Sequence, residues 1–223
     1  MLFRSLIKDG ILKKESEIEI NDASKKALNT FGVKFLVTTK QINSSDFSQI
    51  KKISNEKYSF YLYENKQAKE KFQLYYDYLT ITHPRDYLEA FKSHDPNNVV
   101  FIEKELSLPK LGQGVDGKVT VISFKERSVR LLVESDEDAI LIFNNTYFPG
   151  WNVKIDDQED EIVKANINSQ AVIVPSGKHK VEFYYSPKLF YFGALITILT
   201  IILSSLYIWK SKLIKFLTLR IVK

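Results

Sequence analysis

The stretch that decides the fold reads FNNTYFPGWNVKIDD, from Phe143 to Asp157. Two aromatic residues precede a Pro-Gly pair, and a strict alternation of apolar and polar residues follows it. Trp151, Val153 and Ile155 therefore share one face of a predicted strand. Alternation of this kind is typical of a strand with one buried side, so we interpret Pro149-Gly150 as a corner that leads into it.

The same rhythm extends to both sides of this corner. Val181, Phe183 and Tyr185 also share a face, in the segment KVEFYYS. Spacings of 9 to 12 residues between strands are typical of an antiparallel sandwich, and here candidate strands begin at Val119, Ser128, Ala139, Trp151, Glu161, Gln170 and His179. The pattern predicts a jelly-roll-like antiparallel β-sandwich over residues 98–187.

Residues 1–97 predict a mixed subdomain, so the fold class is α+β followed by the sandwich. DASKKALNTFG has the ends of a helix, with Asp22 as N-cap and Gly32 at its end. A strand is expected at Val33–Thr39, and a short helix begins at Pro84. YSFYLYEN and KFQLYYDYL add aromatic-rich strands, and PKLGQGVDGK, Pro109 to Lys118, is a turn-rich linker.

A transmembrane helix is predicted over residues 188–209. Leu189–Trp209 contains 21 residues and no charge, and a helix of that length spans roughly 30 Å, the hydrocarbon thickness of a bilayer. Aromatic residues lie near both ends, as in an interfacial belt; we assign Phe190, Tyr191, Tyr207 and Trp209 to the membrane interface.

Charge is distributed unevenly along the chain. Six of the 32 basic residues follow Glu182, the last of the 27 acidic ones, so residues 1–187 carry 26 basic and 27 acidic groups. A nucleic-acid surface is therefore not indicated. Five basic residues follow Trp209, and the positive-inside rule places residues 210–223 in the cytoplasm, with Lys210, Lys212 and Lys215 at the membrane interface and the soluble part outside.

In the predicted orientation the soluble part lies outside the cytoplasm, so it must be exported across the membrane. The first residues, MLFRSLIKDGILKKESE, are interrupted by Arg4 and Lys8 and are no signal peptide. Two explanations stay open. Either the chain is the last piece of a polytopic protein whose earlier helices carry it across, or it is a tail-anchored cytoplasmic protein.

Chemistry-bearing residues are few. The chain has no Cys, which excludes disulfides and Cys-based zinc sites. His83 and His94 lie in polar, turn-like contexts and are interpreted as capping or solvated surface residues. His179 lies between two lysines and is interpreted as solvated. Acidic runs fall between predicted strands, where Asp forms turns. We expect no catalytic site, no metal and no cofactor on this chain.

Tyr147 and Trp151 are the best candidates for stacking on sugar rings. The competing interpretation is that they close the sandwich at its corner. Trp151 shares the apolar face of its strand, which favours packing in the core over contact with a glycan.

The segment from Ser128 onward resembles the C-terminal part of the bacterial YfhO-like membrane protein family. The residues that carry the resemblance are TYFPGWNVKID and then ANINSQAVIVPSGKHKVEFYYSPKLFYFG, with ALNTFGVKFLVTT upstream, so that it extends from about Ala27 to Ile208. Two departures are QAKEKF, where many members have Ala-Leu-Pro-Arg, and Asp156-Asp157-Gln158, where the family often has Asp-Gly-Lys.

The resemblance implies a polytopic protein of glycosyltransferase-C type, of which this chain has the last helix. We therefore expect an extracytoplasmic accessory domain linked to glycosylation of a cell-envelope glycan or polymer. Its expected partners are the lipid bilayer, membrane helices of the same or a split protein, and an envelope glycan. The alternatives are a stand-alone anchored carbohydrate-binding module and a tail-anchored cytoplasmic scaffold.

Overall fold

The computed structural model describes residues 17–18, 20–54, 58–106 and 117–221, with the backbone alone at 17–18 and 211–221. The linker predicted around residues 109–116 and the first sixteen residues lie outside this part of the chain. The described residues form two compact units. One comprises those up to Phe148 together with Asn152–Tyr184, and the other comprises Pro149–Trp151 together with those from Tyr185 onward.

The N-terminal region contains one helix and five strands. They are β1 (Glu17–Ile18), α1 (Asp22–Thr30), β2 (Phe35–Thr38), β3 (Gln41–Ile42), β4 (Phe47–Ser54) and β5 (Ser59–Asn65). Strands β2, β5 and β4 form an antiparallel sheet in that order, and β1 pairs with β3 in parallel. One face of the three-stranded sheet packs on α1, in a core of Ile20, Ile42, Phe47 and Tyr63 with Leu28, Leu36 and Tyr61.

The ends of α1 follow from its capping residues. Asn21, and not Asp22 as predicted, is the N-cap: its Oδ1 accepts a hydrogen bond from the Ser24 N–H at 2.9 Å. Both residue types cap well, so the sequence alone left the choice between neighbours open. Beyond the helix, Gly32 has φ +62°, the left-handed conformation that commonly ends a helix.

The middle of the chain contains three short strands and one helix. The segment predicted as a single strand over residues 71–79 divides into β6 (Phe72–Tyr75) and β7 (Tyr78–Thr80), and then come α2 (Asp86–Ser93) and β8 (Val100–Ile102). Strand β8 is buried along its whole length, and Phe91 of α2 packs against Phe101 at 4.9 Å between ring centroids.

Strands dominate the rest of the chain up to Tyr185. They are β9 (Gly117–Lys125), β10 (Ser128–Ser135), β11 (Ala139–Phe143), β12 (Trp151–Ile155), β13 (Gln158–Asp160), β14 (Val163–Ala165), β15 (Ser169–Val174) and β16 (Gly177–Tyr185). The order in the five-stranded sheet is β13-β12-β16-β10-β9, and that in the six-stranded sheet is β6-β11-β15-β14-β8-β7. The protein is therefore mostly β, which confirms in part the predicted fold class of α+β followed by an antiparallel sandwich. The parallel pairing of β7 with β8 departs from the antiparallel pattern.

The six-stranded sheet takes strands from both sides of residue 97, the predicted boundary between domains. Phe72 of β6 lies opposite Phe143 of β11, and β8 joins the same sheet through Ala165 of β14. The division at residue 97 and the jelly-roll connectivity stay predictions.

Alternating residues of the five-stranded sheet form its buried face. Val153, Val181 and Phe183 are buried, as the sequence pattern predicted. The ring of Phe183 lies 5.1 Å from that of Phe143, in the six-stranded sheet. Strand β11 is buried at every position, so it contributes to this core along its whole length.

A single helix, α3 (Lys188–Ile221), follows the last strand. Its segment Lys188–Lys210 is, within the described residues, the one helix long and apolar enough to cross a membrane. The helix continues beyond Trp209 through the basic segment.

Candidate functional site

The corner at Pro149-Gly150 is fastened to the residues that precede the apolar helix. The Ser186 N–H donates a hydrogen bond to the Gly150 carbonyl at 2.6 Å. Gly150 has φ +108°, and a Cβ there would lie 2.8 Å from Tyr185 Cε2 and 3.2 Å from Pro187 Cα. Only glycine meets both conditions, the backbone angle and the close approach. The corner therefore has a structural reason to carry glycine.

Trp151 packs beside this corner. It is half-buried, and its ring centroid lies 5.7 Å from that of Tyr185, at a tilt of 56°. Both rings belong to the compact unit that contains the apolar helix. Aromatic pairs in this geometry stabilise packing by about 1 kcal/mol beyond burial of their area. Packing against Tyr185 thus gives Trp151 a structural role, while its glycan contact stays a prediction.

Tyr147 lies in the other compact unit. Its side chain is 39% exposed, and its N–H donates a hydrogen bond to the Asn168 carbonyl at 2.7 Å. The backbone is therefore fixed and the phenol ring is accessible. Tyr147 keeps the properties that a stacking residue needs.

A polar pocket of about 230 Å³ lies next to Tyr147 in the chain. Asn144 is fixed there, because its Nδ2 donates to the Thr30 carbonyl at 2.8 Å and its Oδ1 accepts from Ser169 Oγ at 3.0 Å. Amide and hydroxyl groups beside an aromatic ring suit the hydroxyl groups of a sugar. The lining residues are Phe31, Asn144, Asn145, Thr146, Asn168 and Ser169.

A second pocket, of about 460 Å³, contains a lysine in an unusual environment. Lys69 Nζ donates to Tyr75 Oη at 2.6 Å and to the Pro96 carbonyl. Burial lowers the pKa of Lys69 to about 8, although the negative charge of Asp95 acts in the opposite sense. Burial also raises the pKa of Tyr75. Gln73 Oε1 accepts from Tyr75 Oη at 2.9 Å and completes the network.

A histidine connects the turns at one end of the five-stranded sheet. His179 Nδ1 lies 2.6 Å from Asp156 Oδ2, and its Nε2 lies 3.1 Å from the Ser176 carbonyl. Asp156 Oδ1 accepts from the Lys180 N–H at 2.8 Å. Asp156 and Asp157 have φ of +48° and +68°, as a two-residue hairpin turn requires. His179 therefore joins the turn after β12 to the turn before β16.

The pKa values of this pair move apart. The hydrogen bond to Asp156 is the main cause that raises the pKa of His179, and the Ser176 carbonyl adds to it. The pKa of Asp156 is lowered, first by the Lys180 N–H and then by His179. In the imidazolium form both ring nitrogens can donate to these two acceptors, which is why the contacts favour the charged histidine and the charged carboxylate. The interpretation of His179 as merely solvated is wrong.

The predicted membrane-interface residues lie on the surface of α3. Phe190, Tyr191, Tyr207 and Trp209 are each more than half exposed, and Lys210 is exposed as well. The side chains of Lys212 and Lys215 lie outside the described part. Contact of these residues with a membrane interface stays a prediction.

No group of three or more His, Asp or Glu residues that could hold a metal ion occurs among the described residues. His83 is exposed, and His94 is half-buried, with its Nδ1 at 2.9 Å from Ser93 Oγ.

The strands β9 to β16 and the start of α3 lie within residues 108–197, which match the family model described as bacterial membrane protein YfhO. This part of the chain is YfhO-like. The predicted resemblance is confirmed over these residues, and its extension upstream to Ala27 stays a prediction. No curated protein and no solved structure matches the chain. The YfhO-like stretch and the apolar helix together support a location in a membrane.

Sequence reasoning missed two features of the described residues, namely the contact between Asp156 and His179 and the burial of Lys69. Asp156 and His179 are far apart in sequence, and only the turn motif around Gly177 hinted at a fixed role for His179. Lys69 lies in QAKEKF, a segment noted only as a departure from the YfhO family. A lysine flanked by aromatic strands was the one signal that burial was possible there.

Proposed function

We propose that this chain is a membrane-anchored accessory domain of a YfhO-like membrane protein, with its β-rich part outside the cytoplasm. The observation that carries the proposal is the extent of the YfhO-like stretch. It runs without interruption from the five-stranded sheet through Gly150 and Pro187 into the apolar helix. One family model thus matches sheet, corner and the start of the helix together, which supports a single unit over an unrelated domain with an added anchor.

The role that fits this architecture is support of glycosylation at the cell envelope. The helix would pack against further membrane helices, of the same or a separate protein, that supply the catalytic groups. In this proposal the present chain contributes positioning and binding to the assembly.

Cysteine labelling tests the orientation directly. The chain has no Cys, so Asn168→Cys gives a single thiol at an exposed position. A membrane-impermeant maleimide applied to intact cells should label it. Ser211→Cys, in the basic segment after Trp209, should react only once the cells are lysed. Protection of residue 168 in intact cells, together with labelling of residue 211, would contradict the proposal and support a tail-anchored cytoplasmic scaffold.

A glycan contact is the second proposed property, and it is favoured by the amide-lined pocket and by the exposed Tyr147, which follows the pocket residue Thr146 in the chain. Titration of the detergent-solubilised chain with envelope glycans should show binding that Asn145→Ala and Tyr147→Ala each weaken by about tenfold. Trp151→Ala tests the other candidate by itself, since loss of binding in that variant alone would assign the glycan contact to the indole. If all three variants bind with the affinity of the wild type, the proposed glycan contact is wrong.

A further inference from the structure

The three-stranded sheet β2-β5-β4 has a second face that carries apolar residues. Cross-strand pairing places Val37 opposite Leu62, and Phe60 opposite Ile53. We call this the outer face. Val37 is 69% exposed, Ile53 58%, and Phe60 43%. Phe35, 54% exposed, lies on the same face opposite Glu64.

This exposure is unusual because the opposite face of the same sheet already packs on α1. A sheet with one buried face normally shows polar residues on the other. Contiguous exposed apolar residues mark a surface that binds something. The residues of the outer face are not needed by the core that forms around Tyr63, so their apolar character requires another explanation.

Charge indicates the kind of partner. Over the described residues between 33 and 66, five lysines stand against Asp46 and Glu64. Asp46 is already paired with Lys25, at 3.1 Å. Lys51 lies on the outer face itself, opposite Leu62, and Lys34 Nζ lies 6.0 Å from the centre of the Phe35 ring. The outer face is therefore apolar with a basic margin.

We propose that the outer face lies on the surface of an anionic lipid bilayer. Aromatic and aliphatic side chains enter the boundary between headgroups and acyl chains, and lysines at the margin bind phosphate groups. The helix α3 keeps the rest of the chain near a bilayer, which raises the effective concentration for this second, weak contact. The inference needs membrane anchoring but holds for either orientation of the helix.

A second copy of the chain fits the outer face less well. Two such faces in contact would bring their lysines together, and like charges at close range oppose association. A bilayer rich in phosphatidylglycerol has the complementary sign and no fixed shape to match.

Depth-dependent quenching tests the proposal in the full-length chain. Val37→Cys carries an environment-sensitive fluorophore, and the protein is reconstituted into vesicles that contain brominated lipids. Leu88→Cys, exposed on α2, is the matched control. We expect quenching at residue 37 to exceed that at residue 88 by about threefold in phosphatidylglycerol-rich vesicles, and to weaken in phosphatidylcholine alone.

Two further variants identify the cause. Phe35→Ser with Phe60→Ser should reduce quenching at residue 37 to the control value, and so should Lys34→Gln with Lys51→Gln. Circular dichroism should be unchanged, because these side chains are exposed. Equal quenching at residues 37 and 88 in both lipids would overturn the proposal. So would a fluorescence shift that depends on protein concentration and not on lipid, since that result indicates a second copy.

Discussion

His179 shows how one residue acquires a role through partners distant in sequence. Its neighbours Lys178 and Lys180 suggested solvation, yet the carboxylate that fixes it comes from Asp156, in another turn. The cause is the adjacency of β12 and β16 in the sheet, which brings the ends of two hairpins together. Strand order is a long-range property, so local composition could not reveal this contact.

Replacement of His179 by Gln should destabilise the protein in a pH-dependent way. The raised pKa of His179 means that its contribution is complete below its ordinary value of 6.5 and is lost as the pH rises through the raised value. Asp156, with its lowered pKa, contributes above its ordinary value of 3.8. At pH 5 we expect a melting temperature lower by about 2–4 °C, measured by thermal unfolding in detergent.

The difference in melting temperature between the wild type and His179→Gln should be smaller at pH 9, because a neutral histidine forms no ion pair with Asp156. His94→Gln, outside this network, is the control and should leave the melting temperature unchanged at both pH values. A destabilisation by His179→Gln that is constant from pH 5 to 9 would show that the imidazole acts by shape and not by charge.

The effect of Lys69 on the free energy of unfolding should change with pH in the direction opposite to that of His179. Its pKa falls from 10.5 to about 8 on folding, so the unfolded chain keeps a proton that the folded chain releases between these values. The free energy of unfolding of the wild type should therefore rise from pH 8 to pH 10 relative to Lys69→Met. Denaturant titrations at several pH values measure this. Lys66→Met, an exposed neighbour, should follow the wild type; if Lys69→Met also does, the ammonium is not desolvated.

Element boundaries were predicted best where apolar and polar residues alternate. Strands β10, β11 and β12 begin at Ser128, Ala139 and Trp151, the predicted positions. The short strand β8 was missed, because three buried residues after a turn carry no periodicity. The sequence predicts one strand over KFQLYYDYL, but Asp77 lies between two strands, β6 and β7. The carbonyl of Asp77 accepts a hydrogen bond from the Val100 N–H.

The corner before β12 should be intolerant of any side chain. Gly150→Ala adds a Cβ at 2.8 Å from Tyr185 and strains a positive φ, which costs about 1–3 kcal/mol. In a Trp209→Phe background the fluorescence of Trp151 reports on its packing, and we expect a red shift.

Gly193→Ala is the matched control within α3. A Cβ at Gly193 meets no atom within 4 Å, and Ala is the better helix former. The emission of Trp151 should then stay as in the parent. Unchanged emission in Gly150→Ala would contradict the tight junction described for the corner.

At the scale of the whole molecule, the asymmetric distribution of charge should determine orientation. Replacement of the five basic residues after Trp209 by Gln removes the excess that the positive-inside rule depends on. We expect labelling of Asn168→Cys in intact cells to fall toward about half of its former extent. Neutralisation of Lys118 and Lys125, far from the helix in sequence, should leave labelling unchanged; an equal loss there would attribute the effect to overall charge.

The sequence predicts which segments form strands, but it does not predict which strands pair with each other. Alternation predicts a strand and its buried side but not its neighbour. Phe72 and Phe143 each read as residues of aromatic strands, yet nothing local indicates that they lie side by side. For the same reason the outer face of the small sheet was invisible, since it depends on register between β2, β5 and β4.

The position of β6 beside β11 also has a consequence for how the protein acquires its structure. During synthesis β6 emerges well before its partner β11, Ala139–Phe143, has been made. Strand β11 in turn pairs with β15 on its other edge. The long segment between β6 and β11 must lose conformational entropy before the contacts between these strands can form and offset that loss. Folding of the six-stranded sheet should therefore be slow and late, completed only when the chain has been made almost to the start of its apolar helix.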